Sequence, residues 1–337
     1  MSIEFVSRLE RQPEHPVVQS NVRRRARAVE RAGFDRLLIA DPDGSPDNSQ
    51  LASFVLHSTF SLGVTVAHGI GAMAPLVAAQ QFAALDQLSG GRLAVSVQPG
   101  SEPIAAGGTP LDHEQSFARA DEYLVLLRRL WSNERPFDHE GAFYSLKAGH
   151  LRTRPFGAAI PLVLSGLSGT ALKVAGRHAD VFSLPASTQD ETCQTIARIR
   201  AAASSCGRAN KIGFALDIAP YVAEKRDAAR AKIAVAPPVP AATCLVGTPE
   251  QVAVALVDFC ELGVSSFVVH GLEATGDLAL FADKVMPLVR RSADRQDKAN
   301  EALAAVPPGF VLSCRAPPPR GALGGSYDDH RAPRPTV

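Results

Sequence analysis

A serine- and glycine-rich segment at residues 165–170 (SGLSGT) contains the residue types that most directly suggest ligand binding. It follows an apolar, strand-like run and precedes a stretch with helical character. Its glycines allow a close approach of the backbone, and the free N–H groups at the start of a helix can bind a phosphate dianion. The hydroxyls of Ser168 and Thr170 add possible donors. Segments of this composition are also often ordinary turns, so the pattern alone gives only a candidate phosphate site. The residues of this candidate site are Gly166, Leu167, Ser168 and Gly169.

Three histidines stand beside strand-like runs or at the predicted start of a helix. His68 ends one apolar run and could face a bound ligand or lie in an exposed loop. His113 could lie near a ligand, or could simply begin a helix that Asp112, a favoured N-cap residue, caps. His270 ends the last apolar run and could border a site, although the following Gly271 is typical of a tight turn.

Strand-like runs alternate with helical stretches along most of the chain, which predicts parallel strands joined by right-handed crossovers. Eight such runs match the strand count of a (β/α)₈ TIM barrel, whose ligand sites form at the carboxyl ends of the strands. An open doubly wound sheet is the alternative, but no GxGxxG turn follows the first strand. The eight runs are residues 3–8, 34–40, 60–68, 92–98, 160–166, 179–185, 212–222 and 264–271.

The segments between and after these runs complete the predicted α/β architecture. Residues 137–146 predict a small β-excursion, and the prolines of residues 235–243 exclude a long helix there. We expect residues 1–292 to form the barrel and residues 293–337, which are rich in Pro and Gly, to be a mostly disordered tail. The predicted helices are residues 17–31, 75–88, 114–131, 189–206, 249–262 and 276–290.

Composition narrows the possible functions of the chain. Its 337 residues carry 35 basic and 34 acidic side chains, without a basic stripe that would indicate nucleic acid binding. No apolar run of about 18 residues predicts a membrane span, and the N-terminus lacks the apolar core of a signal peptide, so we expect a cytoplasmic protein. The five cysteines form no CxxC pair or metal-ligand spacing. We expect Cys193, Cys206 and Cys260 to be buried apolar residues.

The order of several motifs resembles that of the bacterial luciferase-like, flavin-dependent monooxygenases, most closely the alkanesulfonate branch. Residues 75–100 contain a Pro-started helix, an LDxLSxGR motif that includes Asp86 and Arg92, and an apolar strand that ends in Gly100. Residues 111–113 (LDH), 160–182 and 245–271 continue the resemblance, which covers about residues 3–290.

The resemblance implies a luciferase-like barrel that uses reduced FMN, supplied by a separate flavin reductase, and molecular oxygen to oxidise a small organic substrate. The cofactor supplies the chemistry in such an enzyme, and the protein supplies orientation, electrostatics and exclusion of water. A homo-oligomer is a possible further feature. A deazaflavin (F420)-dependent oxidoreductase and a catalytically impaired flavin-binding barrel are the alternatives. The resemblance places His68, Gly100 and His113 with the 166–169 segment as cofactor-binding residues.

Several positions depart from the alkanesulfonate pattern. Ser116 and Phe117 stand where that branch has Arg and Tyr, and Asp217 and Ala219 stand where it has Arg and His. The lid after the seventh strand is shortened to about residues 223–243. Loss of such polar donors would remove favourable electrostatics worth several kcal/mol. We therefore expect a rebuilt site for another substrate, weak flavin binding or lost activity, and no efficient desulfonation of alkanesulfonates.

Overall fold

The computed structural model describes residues 3–9, 18–40, 48–99, 111–235, 243–272 and 275–304. The barrel belongs to a unit that spans Met1–Asp297, and Lys298–Val337 forms a second unit, of which only the end of the last helix is described. The strands are β1 (Glu4–Arg8), β2 (Arg36–Ile39), β3 (Gly63–Gly69), β4 (Leu93–Gln98), β5 (Phe137–Glu140), β6 (Ser145–Gly149), β7 (Leu162–Leu164), β8 (Val181–Leu184), β9 (Gly213–Val222), β10 (Thr243–Gly247) and β11 (Val264–Val269). The helices are α1 (Gln19–Arg31), α2 (Asn48–Ser58), α3 (Pro75–Ser89), α4 (His113–Ser132), α5 (Gly169–His178), α6 (Gln189–Ser204), α7 (Arg226–Val235), α8 (Pro249–Leu262), α9 (Thr275–Leu280) and α10 (Met286–Ala304), with a 3₁₀ turn at Ile70–Ala72 and a π-helical segment at Phe281–Val285.

Eight parallel strands close into a barrel in the order β1-β2-β3-β4-β7-β8-β9-β11. The barrel closes because β8 pairs with β9 and β11 pairs with β1. Strand β10 lies outside this ring and pairs with β9 alone among the described strands. The carboxyl ends of all eight strands therefore meet at one mouth of the barrel, where such folds bind their ligands.

The strand register determines which side chains face the interior of the barrel. Val6, Ala215 and Val268 form a small apolar cluster that is separate from the main core between strands and helices. Residues in register on neighbouring strands share a face, and the face alternates along each strand. Leu38 packs against the interior cluster and pairs with Thr65, whereas Leu37 belongs to the outer core. These assignments give every polar side chain near the mouth a defined direction.

The opposite end of the barrel is closed by polar contacts that serve the fold. The Arg36 guanidinium donates to the Glu4 carboxylate at 2.7 Å, and Ser266 donates to the same carboxylate at 3.4 Å. Outside the barrel, Arg92 donates to the carbonyl oxygens of Leu56 and Leu62, each at 2.9 Å. This end of the barrel is therefore structural.

The structure confirms the eight predicted strands and the β-excursion, which is the antiparallel pair β5–β6. Sequence reasoning did not predict α2, α7 or β10. Helix α2 mixes polar and apolar residues with little amphipathic contrast, and α7 and β10 are short elements on either side of the proline-rich residues. The predicted tail begins inside α10, and residues 305–337 lie outside the described residues, so their disorder stays a prediction.

Two of the three predictions for cysteines were wrong. Cys260 is buried, but Cys193 and Cys206 are exposed. Both lie at or just beyond α6, which packs only part of its surface against the barrel, so position near a helix did not establish burial.

Candidate functional site

The segment after β7 forms a turn that leads into α5. Gly166 has a φ of +116°, in the region that side chains rarely adopt, and a Cβ there would lie 2.9 Å from the Cβ of Ala171. Ser168 is the N-cap of α5, and its hydroxyl accepts a hydrogen bond from the Ala171 N–H at 3.1 Å. The turn thus delivers the start of α5 to the mouth of the barrel with its cap in place.

The first two N–H groups of α5, at Gly169 and Thr170, are those that a helix leaves without an internal partner. A Cβ built on Gly169 would meet nothing within 4 Å, so there is open space beside this helix end. The positive end of the helix dipole and two N–H donors favour an anion at such a place. Leu167 is exposed, and its carbonyl oxygen accepts a hydrogen bond from Arg198 at 3.2 Å.

A second helix start meets the first. His113 is the first residue of α4, which Asp112 caps through a capping box with Gln115, so the capped-helix interpretation is confirmed. The His113 Nε2 atom lies 2.8 Å from the Ser168 hydroxyl oxygen, and the two side chains share a hydrogen bond. When His113 donates this bond, Ser168 keeps its own proton for a ligand oxygen. We call His113, Ser168, Gly169 and Thr170 the phosphate cradle.

Phe117 packs against the residues that form the phosphate cradle and its turn. Its ring centroid lies 4.9 Å from that of His113, and its ring would be 3.3 Å from a Cβ at Gly166. Phe117 and the neighbouring Ser116 are both buried. Phe117, which stands where Tyr is expected from the alkanesulfonate pattern, therefore forms part of the packing under the turn.

His68 lies apart from this cluster. It shares the outward-facing row of β3 with Val64 and Val66, both in the core beneath the helices. Its Nε2 atom lies 2.7 Å from the hydroxyl oxygen of Tyr123 on α4, and its ring meets the edge of Phe82 at a centroid distance of 5.0 Å. His68 is thus directed between the barrel and the helices, and its role as a cofactor-binding residue stays a prediction.

Burial raises the pKa of Tyr123 far above its usual range, and the nearby Tyr144 acts in the same direction. Tyr123 therefore stays protonated and holds the His68 ring in place. Gly100, the remaining residue predicted to bind the cofactor, lies outside the described residues.

A second polar group lies inside the barrel near its mouth. The Asp217 Oδ1 atom on β9 lies 2.6 Å from Nε2 of His270, and the Ser183 hydroxyl donates to Oδ2 at 3.4 Å. Asp217 pairs in register with Val268 and Ser183 with Ala215, so both residues face the interior. His270 follows β11 and continues its ladder through an N–H bond to the Ile218 carbonyl oxygen. We call Asp217, His270 and Ser183 the carboxylate–imidazole group.

Sequence reasoning named His270 only as a border residue and Asp217 only as a replacement for another residue. Two features could have linked His270 with Asp217: β9 and β11 are neighbours in a closed barrel, and the register of these two strands brings the residues together. Gly271, for which a tight turn was expected, has a φ of +72°.

The LDxLSxGR motif has a structural role, as expected for the end of the barrel opposite the mouth. The Asp86 carboxylate accepts a hydrogen bond from the Phe156 N–H at 2.9 Å, and Arg92 binds backbone oxygens around the start of β3. Trp131 is also a packing residue, since it is buried and donates to the Ala79 carbonyl oxygen at 3.1 Å. These three residues hold α2, α3 and α4 against the strands.

The residues at the mouth fit a phosphorylated flavin. The phosphate cradle offers two backbone donors, a hydroxyl and an imidazole to a phosphate dianion. The barrel interior combines the apolar cluster of Val6, Ala215 and Val268 with polar side chains nearer the mouth. In the described part of the chain, no group of three or more His, Cys, Asp or Glu could hold a metal ion. The described helices also include none with the length and apolar character needed to cross a membrane.

The family model described as luciferase-like monooxygenase matches residues 3–242, and the chain belongs to this family. An FMNH₂-dependent dimethylsulfone monooxygenase of Pseudomonas putida is 27% identical over 318 residues, which cover 80% of this chain and 87% of that protein. The predicted membership of the luciferase-like family is therefore confirmed.

Two solved structures show the same fold. A long-chain alkane monooxygenase superposes with a TM-score of 0.77 at 18% identity, over 87% of this chain and 92% of its own. An F420-dependent secondary alcohol dehydrogenase superposes with a TM-score of 0.69 at 18% identity, over 86% and 99%. Neither these structures nor the dimethylsulfone relative is an alkanesulfonate monooxygenase, so the resemblance to that branch stays a prediction.

Proposed function

We propose that this protein is a monooxygenase that uses reduced FMN and molecular oxygen to oxidise a small organic substrate. The observation that carries the proposal is the phosphate cradle, in which the N-termini of α4 and α5 meet at the mouth of a luciferase-like barrel. The dimethylsulfone monooxygenase relative, which is FMNH₂-dependent, supports the choice of cofactor.

The protein's part in the reaction follows from its own residues. The phosphate cradle binds the flavin phosphate and so fixes the position of the cofactor. Reduced FMN, when bound, supplies the electrons that activate oxygen. The apolar wall around Val6, Ala215 and Val268 limits water, and the carboxylate–imidazole group gives that wall its polar contact for a substrate.

The same proposal includes a separate flavin reductase, since reduced FMN must be regenerated outside this barrel. It also includes a cytoplasmic location, where such a reductase would find its reductant, and a homo-oligomer. Co-purification and a coupled assay with a purified flavin reductase test the first of these points, and light scattering of the purified protein tests the oligomer.

Titration of the purified protein with FMN, reduced FMN and a deazaflavin tests the cofactor. We expect flavin fluorescence to be quenched by binding of FMN, and reduced FMN to bind under anaerobic conditions. Preference for the deazaflavin would instead support the hydride-transfer alternative. The likeness to the F420-dependent dehydrogenase is a likeness of fold alone. Absence of binding to all three would refute both enzyme functions.

Oxygen-dependent loss of substrate with reduced FMN alone tests the reaction. We expect no sulfite from methanesulfonate, because Asp217 and Ala219 stand where the alkanesulfonate pattern has Arg and His. Clear release of sulfite would show that the carboxylate at Asp217 does not exclude a sulfonate, contrary to this interpretation.

A further inference from the structure

Asp217 places a carboxylate on an otherwise small and apolar part of the barrel wall. Ala215 and Ala219 occupy the interior positions before and after it on β9, and Val268 pairs with it on β11. The Asp217 side chain keeps 19% of its surface exposed, whereas the His270 side chain keeps 8%. The carboxylate is thus accessible from the interior of the barrel.

The contacts of Asp217 leave part of its hydrogen-bonding capacity unused. In the part of the chain that the structure describes, its side chain bonds to His270 through Oδ1 and to Ser183, at a long 3.4 Å, through Oδ2. A carboxylate can accept about four hydrogen bonds. Its ion-pair partner among the described residues is His270, which is charged only when protonated.

Other polar side chains also face the interior near the mouth. Arg8 faces the interior on β1, with β11 between it and β9, and its guanidinium donates to the Ala40 carbonyl oxygen at 3.3 Å. Gln98 faces the interior on β4, across the barrel. A ligand group that reaches Asp217 therefore meets an acceptor whose neighbours along and across the strand, Ala215, Ala219 and Val268, are apolar. A charge-assisted hydrogen bond is strengthened beside such neighbours, and the carboxylate repels a second anion.

We propose that Asp217 determines substrate specificity by accepting a hydrogen bond from an N–H donor, so that the barrel takes protonated amines in preference to sulfonates or sulfones. This inference rests on the proposed function for the reaction, but the binding preference is a property of Asp217 itself. His270 and Ser183 act as positioning residues, because they fix the two carboxylate oxygens.

Binding of three small probes to the full-length protein tests the proposal. Butylammonium, butanesulfonate and dimethyl sulfone are titrated by protein-observed NMR, with and without FMN. We expect butylammonium to bind tightest. We expect Asp217→Asn, which keeps the shape and removes the charge, to weaken butylammonium binding roughly tenfold to a hundredfold, as for loss of one charge-assisted hydrogen bond. Asp190→Asn, which changes an exposed aspartate on α6, is the matched control and should bind as the unmodified protein does.

A second variant keeps the test decisive if Asp217→Asn does not fold. His270→Gln retains the carboxylate and a side-chain N–H that can donate to it, so the preference for butylammonium should persist. Tighter binding of butanesulfonate or dimethyl sulfone to the unmodified protein, an unchanged affinity in folded Asp217→Asn, or loss of the preference in folded His270→Gln would each overturn the proposal. If FMN fails to bind while the amine preference remains, only the proposed function is refuted. If FMN binds without any amine preference, only the role of Asp217 is refuted.

Discussion

Replacement of Ser168 by Ala should weaken flavin binding far more than it weakens the fold. The Ser168 hydroxyl makes two contacts, one with the Ala171 N–H at 3.1 Å and one with Nε2 of His113 at 2.8 Å. Loss of the helix cap costs about 1 kcal/mol of unfolding free energy. Loss of a hydroxyl donor to a phosphate dianion costs about 1.5–3 kcal/mol of binding free energy, which corresponds to a roughly tenfold to hundredfold rise in Kd.

The matched control is Thr248→Ala. Thr248 caps α8 in the same way, by accepting a hydrogen bond from the Gln251 N–H, but it follows β10, which is not one of the eight barrel strands. Urea denaturation should show a similar small loss of stability in both variants, and titration of FMN fluorescence should show a large change in Kd for Ser168→Ala alone. If Ser168→Ala binds FMN as tightly as Thr248→Ala does, the hydroxyl does not contact the phosphate and the phosphate cradle is refuted.

Three further predictions concern the mouth and the layer of helices around the barrel. Gly166→Ala should destabilise the protein by about 1–3 kcal/mol, because it forces an unfavourable φ of +116° and a close contact with α5; an unchanged thermal midpoint would contradict this. Tyr123→Phe should cost about 1–3 kcal/mol in chemical denaturation, because it removes the hydroxyl that bonds His68 in a buried place, and a neutral effect would show that the bond adds nothing. The hydrogen bond from His178 lowers the pKa of Asp121 below its usual value, so this carboxylate stabilises the fold above its unfolded pKa of about 3.9 and loses that contribution as the pH falls through the folded value. The Asp121→Asn variant should therefore be less stable than the unmodified protein at neutral pH, and its stability should fall less steeply on acidification. The denaturation midpoint measured against pH tests this, and equal slopes for the two proteins would contradict the assignment.

The barrel could be predicted from the sequence because its signals are local. Each strand is a short apolar run between turn residues, and several of the longer helices begin at a recognisable cap or Pro, as at Pro75 and Pro249. The elements that were missed lack such signals. Polar and apolar residues are mixed around helix α2, so its periodicity is weak, and β10 is one strand outside an eightfold pattern.

The direction of His68 and the partner of Asp217 could not be predicted because both depend on register. Strand β3 is buried on both faces, so its sequence does not show an alternation that would assign His68 to one side. A shift of one residue would turn His68 toward the interior. The bond between Asp217 and His270 needs β9 beside β11, with β10 and α8 between them in sequence. By contrast, the contact of His113 with Ser168 joins two helix starts, each visible in the sequence through its cap.

The altered polar positions favour a rebuilt pocket over a decayed one. A carboxylate on an apolar wall is costly unless it is paired, because the charge loses its hydration. Asp217 is paired, through the imidazole of His270 and the hydroxyl of Ser183, and these come from the strands on either side of β9. Phe117 is likewise fitted under the turn that carries Gly166. Random loss of a sulfonate site would leave unpaired groups or space at these positions, whereas Asp217 and Phe117 both have contacts of their own. Asp217 places a carboxylate where the alkanesulfonate pattern has Arg, and this difference is the basis for proposing a different substrate charge on the same flavin barrel.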